Sequence, residues 1–264
     1  MILGRPMFWP FRPRRPAALP RVGGPGEIVV LVDDTVDPRL VVYHDPAGLQ
    51  AEQYRSFRTN LRAMNPKDDP RTLLFTSSQP REGKTVTVAN LAMSLAESEK
   101  LRVVLLDADL RAGRLHQLLG VSGAPGLSDV LLDGASPRAA LQPTSVANLS
   151  FIAAGRQVDN PGELLGSDYM QELIGWLKKD HNYILFDSPP CLAFADAGEL
   201  ATLADGVVLI VAIDDTSKQD AERAIQQLRG VGANVIGTFV TGSDPAERAE
   251  YLMHAEEEED PLES

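Results

Sequence analysis

The sequence predicts an α/β fold, a mostly parallel β-sheet flanked by helices on both faces, and three observations predict it. Apolar runs of strand length at 72–76, 101–106, 183–187, 205–212 and 234–240 alternate with stretches of helical periodicity. Strands buried on both faces and separated by helices pair in parallel. The run Thr72–Thr76 leads straight into the polar loop Ser77–Thr85 and then into a packed helical stretch at 86–96, the strand–loop–helix step from which such folds are built. Several runs also end in acid, at Asp107, Asp109 and Asp187, where an open parallel sheet places its ligand crevice. A chain of 264 residues that is 44% hydrophobic supplies one core of this kind, so a single domain is expected over residues 27–242.

The elements are justified in chain order. Residues 1–26 interleave Arg5, Arg12, Arg14, Arg15 and Arg21 with prolines, and no acid precedes Glu27. Such a stretch packs no core; it reads either as a solvated arm or, through Phe8, Trp9 and Phe11, as a peripheral contact with an anionic membrane surface. Ile28–Val32 reads as a linker or edge strand. Residues 48–62 form a helix closed by Asn65-Pro66, with Glu52, Arg55 and Arg58 at every third position along one side. That spacing suits a local ladder of ion pairs, or an acid facing a neighbouring subunit's arginines in a ring.

The loop Ser78-Gln79-Pro80-Arg81-Glu82-Gly83-Lys84-Thr85 follows the phosphate-loop pattern G-x-x-x-x-G-K-[ST], with Ser78 in place of the first glycine. In that pattern the backbone N–H groups around Pro80–Val86 cradle phosphates, Lys84 reaches the outer two, and the Thr85 hydroxyl ligates magnesium. Asp107 and Asp109 then emerge beside Lys84, and two carboxylates there hold magnesium or accept a proton from an attacking hydroxyl. Asp187 closes the run 183–187 as a further metal-organising acid, and Pro189-Pro190 stiffens the chain leaving it. Between these landmarks lie a capped helix at 126–134, a strand at 148–154, a helical turn from Asn160 and a helix over 168–179. Another helix covers 216–229. His116 and His181 lack ligand spacing and read as structural, and Cys191 as packing bulk.

One cysteine excludes an internal disulfide and fits a reducing compartment. The net charge of −12 argues against general nucleic-acid binding. No run approaches the roughly eighteen apolar residues of a membrane span, so the expected location is cytoplasmic, with the inner face of the cell membrane in reach of the basic arm. Residues 243–264 form an acidic tail.

The phosphate loop, Asp107-x-Asp109-x-Arg111, Phe186-Asp187-Ser188-Pro189-Pro190 and the preceding Glu52-x-x-Arg55-x-x-Arg58 together resemble the catalytic domain of bacterial protein-tyrosine kinases, the BY-kinases of capsule and exopolysaccharide assembly. Asn160-Pro161-x-Glu163-Leu164-Leu165 and Asp196 also resemble family positions. The resemblance implies a P-loop NTPase fold, ATP and Mg2+ as cofactors, Lys84, Asp107, Asp109 and Asp187 as catalytic residues, and Thr85, Asp107, Asp109 and Asp187 around the metal. It further implies a homo-oligomeric ring through Glu52, Arg55 and Arg58, and a transmembrane chain-length regulator as activating partner. Three positions depart from the family's pattern. Tyr251 stands alone near the acidic end in place of a tyrosine cluster, Thr241 replaces an asparagine near the adenine, and Arg81 replaces a loop glycine and must point outward. Two alternatives follow: an ATPase switch of the septum- or plasmid-partition kind, although Gln79 stands where those proteins carry a signature lysine, and a nucleotide-binding regulator without catalysis.

Overall fold

The computed structural model describes residues 35–213 and 215–242. Taken in order, its elements are α1 (Val41–His44), α2 (Leu49–Ala63), β1 (Arg71–Ser77), α3 (Lys84–Ala96), β2 (Val103–Asp107), α4 (Leu115–Leu119), α5 (Leu127–Asp133), α6 (Pro137–Ala140) and β3 (Gln142–Pro143). They continue through β4 (Leu149–Ile152), α7 (Pro161–Leu165), α8 (Asp168–Leu177), β5 (Tyr183–Asp187), α9 (Asp196–Leu203), β6 (Gly206–Ala212), α10 (Lys218–Gly230) and β7 (Val235–Thr241). The basic arm, the expected linker or edge strand at 28–32, the acidic tail and Tyr251 lie outside the described residues.

The strands form one seven-stranded sheet in the order β3-β4-β2-β5-β1-β6-β7, parallel except for the two-residue β3 against β4. Their side chains alternate between two cores, as period two requires. Leu73, Phe75, Val103, Leu105, Leu185, Val208 and Ile210 face α2 and α3, whereas Leu74, Val104, Leu106, Ile184, Phe186, Val207 and Leu209 face α5, α8, α9 and α10. The expected sheet covered on both faces is therefore observed. Helix α3 is buried almost all round, because α1 and α2 cover the side that the sheet does not. Its Asn90, fully buried, accepts the Val42 N–H at 3.0 Å and donates to the carbonyls of Arg39 and Val86, which satisfies a polar group that would otherwise be costly. Among the described residues no helix is long and apolar enough to cross a membrane.

Strand insertion positions the site. The chain runs from β1 through α3 to β2 but leaves a gap that β5 later fills, so β5 pairs β1 on one side and β2 on the other. In that register Asp187 stands directly opposite Asp107 and opposite Phe75, bringing the ends of β1, β2 and β5 to one edge.

Helix α2 carries the Glu52, Arg55 and Arg58 series, and the structure gives its arginines a partner within the chain. Arg55 contacts Glu97 at 2.6 Å and Glu52 at 3.3 Å, while Arg58 reaches Glu97 at 2.6 Å and the Ser94 carbonyl at 2.6 Å. Glu97 caps the C-terminal end of α3, so the two guanidinium groups clamp α2 to α3. Tyr54 and Phe57 add stacking on Phe239 of β7, at centroid distances of 5.6 and 4.9 Å. Burial pushes the Glu97 carboxyl up, but hydrogen bonds from Arg55 and Arg58 outweigh it and leave the group below its ordinary value. Glu97→Gln is therefore expected to cost about 1 kcal/mol after solvent screening, a fall in Tm of roughly 2–4 °C in a thermal melt near neutral pH. Because the carboxyl is depressed, the difference should shrink as pH falls through the carboxylate range.

Candidate active site

The loop between β1 and α3 is held by a carboxylate it contains. Glu82 is 2% exposed, and its side chain accepts hydrogen bonds from the Ser78 hydroxyl at 2.7 Å, the Gln79 N–H at 3.1 Å and the Thr216 hydroxyl at 2.5 Å. Its backbone carbonyl accepts the Thr241 hydroxyl at 2.9 Å. Ser78, in place of the consensus glycine, is fully buried and is not among the residues of positive φ. The left-handed positions are Arg81 at φ 71° and Gly83 at φ 81°, the latter serving as N-cap of α3. Arg81 is exposed, as its bulk requires. Thr241, expected beside a base, also packs its side chain against Gly83, where an added Cβ would lie 3.5 Å from it.

Lys84 and Thr85 open α3 at the mouth of a cavity of about 470 Å³ that is also lined by Pro80, Arg81, Val86, Asp109 and Asp187. Lys84 Nζ lies 3.6 Å from Asp187 Oδ1 and 3.4 Å from the Thr85 hydroxyl. Burial pushes Asp187 up, and the charge of Lys84 and the neighbouring Thr85 hydroxyl oppose that rise. Asp109 lies on the cavity wall, its Oδ1 accepting the N–H groups of Arg111 at 3.3 Å and Ala112 at 3.0 Å.

Asp107 stands one layer behind. Its carboxylate accepts the Leu115 N–H at 2.9 Å and the Asp109 N–H at 3.3 Å, and Gly113 approaches so closely that a Cβ there would lie 2.8 Å from both its oxygens. Burial first, then the Asp187 charge, pushes its pKa up to about 8. Arg111 donates twice to buried Asp196, at 2.7 and 2.9 Å, and lies 4.4 Å from the Phe194 ring centroid, pinning the end of the β2 loop to α9. Gly162 of α7, at the variable position of the Asn160–Leu165 pattern, lies beside Asp196, with an added Cβ 3.4 Å from its Oδ1.

The predicted residues Lys84, Thr85, Asp109 and Asp187 thus converge, while the side chains of Ser78 and Glu82 build the loop. Sequence reasoning missed the partners that hold them. Thr216 and Gly113 carry no motif, and the cavity's second wall, from Asp37, Arg39, Gly113, Arg114, Gln117 and Leu118, joins segments far apart in the chain. Cys191 is buried, which pushes its thiol up to about 11 and fits the packing role expected. His181 is buried against the Leu177 carbonyl, also as expected.

The donor set suits a magnesium nucleotide. A buried carboxylate oxygen, Asp187 Oδ1, makes no hydrogen bond and sits beside a lysine and a hydroxyl at a helix N-terminus. The AAA domain family matches residues 80–236. The Tyrosine-protein kinase YwqD of Bacillus subtilis is 34% identical over 212 residues, which is 80% of this chain and 89% of that one. The chain belongs to the bacterial tyrosine-protein kinases. The Tyrosine-protein kinase wzc of Salmonella typhimurium is 32% identical over 202 residues, 76% of this chain but 28% of that protein. The kinase domain of Escherichia coli tyrosine kinase ETK superposes with a TM-score of 0.74 at 28% identity, covering 77% of this chain and 79% of that one.

Two of these features predict stability. Below about pH 8 the folded, nucleotide-free protein keeps a proton on Asp107 that the unfolded chain, titrating near 3.8, has lost. This group's contribution to stability therefore declines as pH rises from about 4 towards 8 and levels off above it. Asp107→Asn should flatten that slope in denaturant titrations, with a larger gain over the wild type at pH 8 than at pH 5. Arg81→Gly should raise stability by about 1 kcal/mol in the same assay, since it relieves a left-handed non-glycine residue.

Proposed function

We propose that this kinase domain transfers the γ-phosphoryl group of ATP to tyrosine hydroxyls of proteins that govern capsular or exopolysaccharide synthesis. The observation that carries the reading is the convergence of Lys84, Thr85, Asp109 and Asp187 on one cavity at the edge where β1, β2 and β5 end. In this reading the loop N–H groups and Lys84 bind the outer phosphates, and Thr85, Asp109 and Asp187 hold the metal. Magnesium, when bound, neutralises charge on the transferring group. Asp107 holds the 108–115 segment through its backbone N–H contacts and so fixes where Asp109 points. Asp109, on the cavity wall, accepts the proton of the acceptor hydroxyl as its oxygen attacks phosphorus and the bond to the β-phosphate oxygen breaks.

The same proposal includes a ring of copies through Glu52, Arg55 and Arg58, a transmembrane chain-length regulator as activating partner, Tyr251 as one acceptor, and a place at the inner face of the cell membrane. Gln79, where partition ATPases carry a lysine, supports kinase over ATPase switch.

Lys84→Met should lower phosphotyrosine formation more than a hundredfold while the circular dichroism spectrum is retained. The readout is label from γ-³²P ATP with magnesium, separated by phosphoamino-acid analysis. Phosphotyrosine supports the kinase, phosphate release without protein label would support an ATPase switch, and retained transfer in the variant would mean that the loop is misassigned. The ring is best probed at Glu52, 64% exposed and only loosely paired, since changing either arginine also breaks the α2–α3 clamp. Glu52→Arg should shift the mass towards monomer in light scattering with little change in melting temperature; an unaltered mass would remove the ring.

A further inference from the structure

Part of the cavity's lining lies outside the phosphate loop and the acids beside it, and forms a wall of its own. The wall is built by residues 35–39 together with residues 112–118, joined where the Asp37 N–H donates to the Leu118 carbonyl at 2.9 Å and where Gly120 meets the Thr35 backbone. Its charges are unequal in kind. Arg39 is spent on Asp37, with two hydrogen bonds of 2.9 Å. Arg114 is exposed at the N-cap of α4, and among the described residues its guanidinium group makes no ion pair and no hydrogen bond. Across the mouth, Arg81 of the phosphate loop is likewise exposed and unpaired.

An unpaired arginine beside a catalytic carboxylate asks for an anion, and the two arginines meet different ones. Arg81, within the loop, lies on the side that takes the nucleotide's phosphates. Arg114 lines the same cavity from outside the phosphate loop, five residues beyond Asp109 in the chain, on the wall shared with Asp37 and Arg39. We propose that Arg114 selects acceptor tyrosines flanked by carboxylates, so that the substrate class is an acidic tyrosine segment. The guanidinium fork pairs with a Glu or Asp beside the tyrosine, and the pairing draws the phenol towards Asp109. This inference rests on the tyrosine-kinase reading. One segment of that chemistry is in the chain itself: Tyr251 stands among Glu247, Glu250 and the run Glu256–Asp260, outside the described residues.

The test uses the full chain with magnesium and ATP and three synthetic peptides of equal length, in which one tyrosine is flanked by glutamate, glutamine or lysine. Wild-type kcat/KM should favour the glutamate peptide over the glutamine peptide by about tenfold, which converts to ~1.4 kcal/mol, and the preference should weaken in high salt. Arg114→Gln should erase the preference, and Arg114→Glu should move it to the lysine peptide. A charge-swapped preference is not produced by a residue that merely supports the fold. Equal kcat/KM for the three peptides with wild type, or an equal loss on all three in the variants, overturns the proposal and leaves the kinase reading standing. No label on any peptide or on the protein itself overturns both.

Discussion

A buried glutamate holds the site together. Glu82 joins the beginning of the phosphate loop, through Ser78 and Gln79, to Thr216 beyond β6, and its carbonyl joins the loop to Thr241 at the end of β7. A loop that must turn its N–H groups inward towards an anion has few internal hydrogen bonds with which to hold that shape. Here three side chains outside and inside the loop supply them, so the cradle exists before any nucleotide arrives. Preorganisation of that kind spares the ordering cost at the moment of binding.

The acids beyond the loop divide their work by depth. Asp187 and Asp107 meet across the β2–β5 register in a buried layer, where burial and the neighbouring Asp187 charge favour a proton on Asp107. Lys84 relieves Asp187, and backbone N–H groups relieve Asp107. Asp109, two residues beyond Asp107, lines the cavity as Asp187 does, with its carboxylate anchored by backbone N–H groups. The D-x-D spacing thus separates a residue that fixes the backbone from a residue that lines the cavity.

Much of this was legible in the sequence, because strand periodicity, loop composition and acid at strand ends are local signals. The strands at 183–187 and the helix at α2 fall where the pattern places them, and Lys84, Thr85, Asp109 and Asp187 converge as the motifs imply. What was illegible is what depends on long-range pairing. Glu97 has no motif, yet it receives both arginines of the α2 series; Thr216 reaches the site because β6 pairs with β1, and Asp37 because its N–H is held by the Leu118 carbonyl of α4. The loop's two departures from consensus also exchange importance. Ser78 replaces a glycine where no left-handed backbone is needed and gains a hydrogen bond, whereas Arg81 occupies a left-handed position and carries the strain.

The Arg55–Glu97–Arg58 clamp would make the proposed ring an exchange reaction. Each arginine that turns to a neighbouring copy first gives up a carboxylate of its own, so the gain from a new contact is measured against the old one and not against water. Glu97 sits at the far end of α3, a rod of 13 residues and about 20 Å whose other end is the phosphate loop. The proposed ring would therefore draw on a carboxylate at one end of the helix whose other end carries Lys84.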